Sequence, residues 1–229
     1  MKIITVEEHL AGVPINRYME KYGAGDAPYR PLAQRKDRPL AVDPVLFTDL
    51  DKARIEDMDR HGITMQILSC PVKSQLLPAE EAPAIVRDSN DYILAVMQRH
   101  PERYGAFAVL PWSNPGEAAK EAQRVKALGF HGVVLVGRAS AGPEFLDDDR
   151  FLPVLEACDG LGLPIFIHPG APLGAVQEPY YGGLGEEVSA RLSLHGWGWH
   201  NEAGIQLLRT ILAGRLDQFP NLQLIAGQI

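Results

Sequence analysis

At two places in the chain, an apolar stretch ends in polar residues of the types that bind metals. Glu7, Glu8 and His9 follow an apolar run near the N-terminus, and His168 closes a second run before a Pro-Gly pair. Alternate residues of a strand share a face, so Glu7 and His9 are predicted to project to one side and Glu8 to the other. Imidazole with carboxylate suits Zn²⁺ or Mn²⁺ in a catalytic site with an open position. The alternative is ordinary polar residues at strand ends, with His168 a hydrogen-bonded core histidine.

A second group of aromatic and polar residues surrounds glycines between 194 and 202. It contains Trp197, Trp199, His200 and Glu202. Aromatic faces with polar edges suit a planar substrate, so these residues are candidates for a substrate-binding pocket. A helix entry packed on the outside of the fold, capped by His200 or Asn201, explains the same segment equally well.

Two further residues follow predicted strands. Arg138 comes just after the fourth strand, where its guanidinium would pair with a substrate carboxylate. A solvated loop arginine is the alternative for that position. Cys70 ends the second strand and would contact a substrate, but the sequence shows no base that would activate it as a nucleophile.

The elements that must position these residues alternate along the chain. Apolar runs predict strands at 3–6, 65–69, 106–110, 132–136, 165–167 and 222–226. Helical patterns lie between them at 52–60, 78–98, 116–128, 151–161 and 203–212. This alternation indicates parallel strands joined by right-handed crossovers. Without a Gly-x-Gly-x-x-Gly turn, it favours a barrel over a dinucleotide-binding fold.

The predicted fold is a TIM-type (β/α)₈ barrel, as a single domain over residues 1–229, that stops after its sixth strand. Active sites of such barrels lie at the C-terminal ends of the strands, where Glu7, His9 and His168 are predicted to meet. Residues 11–48 are rich in Pro, Gly and Arg and are interpreted as a long functional loop. Because two strands are lacking, a fragment of a barrel is favoured over a different architecture.

Composition excludes several classes of function. The net charge is −7, so no basic surface indicates nucleic acid or membrane binding. No window approaches the about 20 apolar residues of a membrane span, and no signal peptide is evident. With two cysteines and no Cys-x-x-Cys pair, a reduced cytoplasmic location is expected.

These motifs together resemble the amidohydrolase-related (amidohydrolase-2) family of metal-dependent decarboxylases and hydrolases. The resemblance is carried by Val-Glu-Glu-His at 6–9, by the segment 146–157 leading into 163–170, and by Trp-Gly-Trp at 197–199 with Glu202. It covers essentially the whole chain. The branch that it resembles most contains the 2,6- and 2,3-dihydroxybenzoate decarboxylases.

The resemblance implies a barrel that holds one divalent metal, Zn²⁺ or Mn²⁺, with Glu7, His9 and His168 as ligands and His168 also in the catalytic centre. The family has a further Asp ligand after the eighth strand, which this chain does not contain. It also has a catalytic histidine after the sixth strand, where this chain has Gln228. Glutamine cannot shuttle a proton near neutral pH. Relatives associate as dimers or tetramers, which the resemblance implies for an intact chain.

Three hypotheses follow for the function. The first is a non-oxidative decarboxylase of a hydroxylated aromatic carboxylic acid, with a small aromatic acid as its partner. The second is a hydrolase of a lactone or amide, in which the same metal activates water. The third is an inactive homologue whose open strand edge pairs with a partner or with a second copy.

Overall fold

The computed structural model describes residues 1–23 and 43–228 and contains one parallel sheet. Its six strands stand side by side in chain order, and every neighbouring pair is parallel. The strands are β1 (Ile4–His9), β2 (Met65–Ser69), β3 (Tyr104–Val109), β4 (Gly132–Val136), β5 (Ile165–His168) and β6 (Leu224–Ala226). Parallel neighbours in chain order are the arrangement of a barrel wall.

Helices cross between the strands and cover the sheet. They are α1 (Asn16–Tyr22), α2 (Ala53–Arg60), α3 (Ala82–Arg99), α4 (Pro115–Ala127), α5 (Leu152–Leu161), α6 (Gly174–Tyr181), α7 (Glu186–Arg191), α8 (Gly198–Leu212) and α9 (Arg215–Gln218). Short 3₁₀ turns lie at Pro44–Phe47, Ser74–Leu76 and Asp149–Phe151, and a π-type turn lies at Leu192–Gly196. Local signals fix some helix ends: the Asn114 side chain accepts the backbone N–H of Glu117 at the start of α4, and Gly162 ends α5 in the left-handed conformation.

The core lies around the middle strands of the sheet. Every residue of β3, β4 and β5 is buried, as expected for parallel strands rich in Val and Ile with both faces covered. Phe107 of β3 and Phe166 of β5 stack with ring centroids 5.2 Å apart. Gly132 of β4 makes room for this contact, because a Cβ there would lie 2.8 Å from the Phe107 ring. The two aromatic rings therefore pack across the strand that separates them.

Most of the predicted elements are confirmed. The strands at 65–69 and 132–136 have the predicted bounds, and the other four differ at their ends. The first strand extends to His9, so Glu7 and His9 lie within it rather than after it. The helix predicted at 203–212 is α8, and it begins at Gly198 instead of Ala203.

The interpretation of 11–48 as a loop without regular structure is wrong in part. Asn16–Tyr22 is helical and Pro44–Phe47 forms a 3₁₀ turn, while residues 24–42 of this segment lie outside the described residues. Three helices were also missed: α6, α7 and α9 are short and contain Pro or Gly inside or next to them. Across residues 1–23 and 43–228, no helix has the combination of length and apolar character that a membrane crossing requires.

Candidate metal centre

The C-terminal ends of β1 and β5 bring Glu7, His9 and His168 together. One potential ligand atom from each of the three side chains lies within 4.8 Å of the others. Strands in a sheet are about 4.8 Å apart, so a flat sheet would separate β1 from β5 by about 19 Å. The observed approach therefore requires the sheet to be rolled, as in a barrel.

The three side chains face one another through specific atoms. The Nε2 atoms of His9 and His168 are 3.3 Å apart. Oε1 of Glu7 lies 3.6 Å from Nε2 of His168 and 4.0 Å from Nε2 of His9. Two nitrogens that bind one Zn²⁺ in tetrahedral directions are about 3.4 Å apart, because each Zn–N bond is about 2.1 Å long. The spacing of the imidazoles fits a shared cation.

Hydrogen bonds to the other ring nitrogens orient both imidazoles. Nδ1 of His168 donates to the carbonyl oxygen of Pro169 at 2.7 Å, which leaves the lone pair of a neutral ring on Nε2. Nδ1 of His9 lies 3.1 Å from the hydroxyl oxygen of Ser69 on β2. Such partners of the distal nitrogen are typical of metal-binding histidines.

Burial keeps both imidazoles in the ligand form. Desolvation, together with His168 and Arg54, lowers the pKa of His9 from 6.5 to about 4. Desolvation also lowers the pKa of His168, although Pro169 and Glu7 oppose the shift. Neutral imidazole is the form that binds metals, and two neutral rings beside one carboxylate suit Zn²⁺ or Mn²⁺. The residues present therefore fit a divalent cation.

The Pro-Gly pair after His168 has a packing role. A Cβ on Gly170 would lie 2.7 Å from Cα of Gly137, which follows β4. Only residues without side chains allow the chain segments leaving β4 and β5 to approach so closely. This contact fixes the path of the backbone immediately beyond His168.

Gln228 follows β6 and reaches the same site. Its Nε2 donates to Oε1 of Glu7 at 2.6 Å. Its φ is +55°, which is uncommon for a residue other than glycine. The structure thus places Gln228 against the carboxylate, and its catalytic assignment stays a prediction.

The aromatic residues of the second group differ in their surroundings. Trp197 is 55% exposed. Trp199 lies edge-on to His168 with centroids 6.3 Å apart, and its buried Nε1 has no hydrogen-bond partner among the described residues. His200 contacts Trp199 at 6.0 Å between centroids. This segment is the start of α8, but no side chain caps the helix, so the alternative of a cap at His200 or Asn201 is wrong.

Arg138 and Glu202, both predicted to bind substrate, pair with each other. Nη1 of Arg138 donates to Oε1 of Glu202 at 2.6 Å, and both side chains are almost fully buried. Arg138 also donates to the backbone carbonyls of Gly142 and Ala171. The pair ties the segment after β4 to α8, and the role of either residue toward a substrate stays a prediction.

A cavity of about 190 Å³ lies beside this ion pair. Aromatic and aliphatic side chains form most of its wall, including Phe145, Tyr180 and Tyr181. Ligand pockets usually measure about 300–1,000 Å³, and the three residues of the metal centre do not line this cavity. We therefore assign it no part in the site.

Sequence reasoning missed the residues that support the ligands. Ser69 had a usable signal, since it is a polar residue at the end of a buried strand, as His168 is. Arg54 and Gln75 had none, because in the sequence an arginine on a helix and a glutamine in a short 3₁₀ turn look like surface residues. Gln75 donates to the carbonyl oxygens of Val136 and Arg138 at 2.8 and 2.7 Å and so holds the end of β4.

Cys70 does not have the properties of a nucleophile. It is fully buried, and burial raises the pKa of its thiol to about 12. The thiolate is the reactive form of cysteine, so Cys70 is unreactive near neutral pH.

Two decarboxylases are similar to this chain in sequence. Decarboxylase orsB of Emericella nidulans is 33% identical over 183 residues, which are 79% of this chain and 54% of that protein. The gamma-resorcylate decarboxylase of Polaromonas sp. is 31% identical over 188 residues, which are 79% of this chain and 56% of that protein. The chain thus spans little more than half the length of these two relatives.

Solved structures show the same fold. The dihydroxybenzoic acid decarboxylase of Polaromonas sp. JS666, solved with manganese and the inhibitor 2-nitroresorcinol, matches with a TM-score of 0.79 at 28% identity. The match covers 99% of this chain and 65% of that one, and it confirms the predicted barrel type of fold. The family model described as Amidohydrolase matches residues 48–227, more than three quarters of the chain. With this match added to the fold and the convergent ligands, the chain belongs to the amidohydrolase family.

Proposed function

We propose that the protein is a metal-dependent, non-oxidative decarboxylase of a hydroxylated aromatic carboxylic acid. The observation that supports this most strongly is the convergence of Glu7, His9 and His168 within 4.8 Å at the C-terminal ends of parallel strands. Barrel enzymes assemble their active sites at that end. The relatives named above are decarboxylases, and one of them binds manganese together with a nitro-substituted resorcinol.

Glu7, His9 and His168 are proposed to hold a divalent cation, Mn²⁺ or Zn²⁺. When bound, the cation supplies a Lewis acid and a template for a substrate carboxylate and its ortho hydroxyl. The carboxylate of Glu7 provides negative charge, and the two imidazoles provide neutral nitrogen donors. Ser69 and the Pro169 carbonyl keep those rings in place through their Nδ1 atoms.

Trp199 is proposed to contact the aromatic ring of the substrate. Its indole lies edge-on to His168, and its Nε1–H is a buried donor available to a substrate oxygen. A buried donor without an acceptor costs free energy, which an oxygen of the ligand would recover. His200, beside Trp199, is proposed to contribute a polar wall to the same pocket.

The reaction requires a proton at the ring carbon that bears the carboxylate. Protonation there is followed by cleavage of the bond to the carboxylate, whose electron pair restores the aromatic ring as CO₂ leaves. No electrons are gained or lost overall, so no redox cofactor is needed. The amide of Gln228 does not transfer a proton near neutral pH and instead holds the Glu7 carboxylate.

Metal content and CO₂ release together test the proposal. We expect about one Mn²⁺ or Zn²⁺ per chain by elemental analysis. We also expect CO₂ release from 2,6-dihydroxybenzoate or another ortho-hydroxylated benzoate. The Glu7→Ala, His9→Ala double variant is expected to lose both. The matched control is Glu56→Ala with His61→Ala, which removes the same residue types from exposed positions on and next to α2.

Two outcomes would contradict the proposal. Undiminished CO₂ release from the Glu7→Ala, His9→Ala variant would show that the chemistry does not depend on this site. Metal-dependent hydrolysis of lactones or amides, without CO₂ release from any hydroxylated benzoate, would instead assign a hydrolase.

A further inference from the structure

Arg54 is a buried arginine of α2 that contacts the end of β1. It is 5% exposed, and its guanidinium donates four hydrogen bonds. Nη2 donates to the Glu8 carboxylate at 2.5 Å, and Nε donates to Oε1 of Gln66 at 2.6 Å. Nη1 donates to the backbone carbonyls of His9, at 3.1 Å, and Leu46, at 2.9 Å. One planar group thus joins β1, β2, α2 and the 3₁₀ turn at Pro44–Phe47.

The pairing of β1 is irregular immediately before the residues that Arg54 contacts. Thr5 pairs with Gln66 and Glu8 pairs with Leu68, so three steps along β1 match two along β2. This shift is a bulge, and bulges redirect side chains and weaken the local ladder. Among the described residues, β1 also pairs with β2 alone. The strand that bears two of the three candidate ligands therefore needs support from outside the sheet.

We propose that Arg54 is a positioning residue of the metal centre. By holding the Glu8 carboxylate and the His9 carbonyl, it fixes the rotation of the strand directly after Glu7 and at His9. That rotation decides whether Glu7 and His9 face His168. The proposal rests on the proposed function, because the orientation of these side chains serves to bind the proposed cation.

The fork of the guanidinium is essential to this role. Lysine keeps the positive charge opposite Glu8, but its ammonium is a point charge that cannot reach several acceptors in one plane. Arg54→Lys therefore separates charge from geometry. Arg124 provides a matched control, because it also donates in a fork, to Glu121, and pairs with Asp91 in the α3–α4 layer.

The first measurement follows the imidazole NMR signals of the metal-free protein, with His9 assigned from a His9→Asn variant. We expect Arg54→Lys to shift or broaden the His9 ring signals and Arg124→Lys to leave them in place. Urea unfolding of both variants shows whether their folding is comparable. Unchanged His9 signals in a folded Arg54→Lys protein would overturn the inference.

The second measurement is the affinity for Zn²⁺ and Mn²⁺ in competition with a chromogenic chelator. Support for a ligand is typically worth about 10–100-fold in affinity, so we expect Arg54→Lys to weaken binding by that factor. Arg124→Lys is expected to bind as the wild type does. Equal affinities for wild type and Arg54→Lys would overturn the inference.

A milder variant covers the case in which Arg54→Lys does not fold. Glu8→Gln keeps an acceptor for Arg54 and removes only the charge, so we expect a smaller loss of affinity and a smaller displacement of the His9 signals. If neither changes in Glu8→Gln, the inference is wrong. If the wild type binds no metal but Arg54→Lys or Glu8→Gln still displaces the His9 signals, the metal centre of the proposed function fails while the positioning role of Arg54 stands.

Discussion

His9 and His168 are both largely buried, and their imidazole rings contact each other through their Nε2 atoms. In the metal-free protein, positive charges on both rings would repel each other, because their Nε2 atoms are 3.3 Å apart in a poorly hydrated site. Desolvation and this neighbour therefore keep the pKa of His9 at about 4. The neutral state is useful for binding a cation, but it makes the folded protein sensitive to acid.

We expect the metal-free protein to lose stability as the pH falls from 6.5 to about 4, the interval between the ordinary and the folded-state pKa of His9. There the unfolded chain binds a proton at His9 that the folded chain does not, so acid favours unfolding. The lowered pKa of His9, caused by burial and by the neighbouring His168 and Arg54, corresponds to a loss of about 3 kcal/mol at the acid end of this range. Urea unfolding across this pH range, in the presence of a chelator, measures the loss of stability. The His9→Gln variant is expected to show a shallower slope, and an identical slope would contradict this prediction.

Gln228 offers a second prediction at the same scale. Gln228→Glu places a carboxylate beside Glu7, where the amide now donates at 2.6 Å. The added charge attracts a divalent cation, and we expect the affinity to rise about 3- to 10-fold because Gln228 is exposed and the charge is screened. Chelator competition at low and high salt measures the gain, which should shrink as salt increases. Gln228→Ala serves as the control without charge, and an equal gain there would exclude the electrostatic explanation.

At the scale of elements, the Arg138–Glu202 ion pair connects the segment after β4 to α8. Breaking a buried pair by removing one partner costs about 3–5 kcal/mol, because a charge stays buried. We expect Arg138→Met to lower the free energy of unfolding by that amount. The double variant Arg138→Met, Glu202→Met is expected to recover most of it. Urea unfolding midpoints test both, and a double variant no more stable than the single one would assign the cost to the contacts of Arg138 with the Gly142 and Ala171 carbonyls.

The sequence predicted β2 and β4 better than β1 and the helix that follows it. β2 and β4 are short apolar runs bounded by polar or turn residues, so the apolar pattern and the flanking residues indicate the same strand bounds. β1 was cut short because Glu7, Glu8 and His9 are polar, although pairing with β2 continues through them. The helix α1 was missed because its sequence contains few apolar residues and its position depends on packing rather than on pattern.

The candidate ligands could be predicted, while most of the residues that support them could not. Glu7, His9 and His168 stand where strands end, and strand ends meet at one edge of a barrel. Arg54 is recognised only through its contacts, since nothing in the spacing of α2 shows that this charged residue faces inward. The pairing of Arg138 with Glu202 was likewise invisible, because the two residues are 64 positions apart.

At the scale of the whole molecule, a bound cation would connect β1 to β5 across three intervening strands. A ligand that binds only the folded state stabilises it by about 2.7 kcal/mol at a concentration 100 times its Kd. For a chain of this size we therefore expect Mn²⁺ or Zn²⁺ to raise Tm by about 5–10 °C. Thermal unfolding followed by circular dichroism, with and without chelator, tests this. His168→Ala should gain no such increase, and an equal increase would place the binding elsewhere.

The long sequence separation between His9 and His168 has a consequence for biosynthesis. They contact each other across 159 positions, so the ribosome must add all of these residues after His9 before the pair can form. At about 5–20 residues per second, that delay lasts roughly 10–30 s. During this interval the emerging N-terminal strand has no partner for its ligands, and premature capture of a cation by Glu7 and His9 alone would be weak. Tight binding of the cation would then occur only on chains whose synthesis has passed β5.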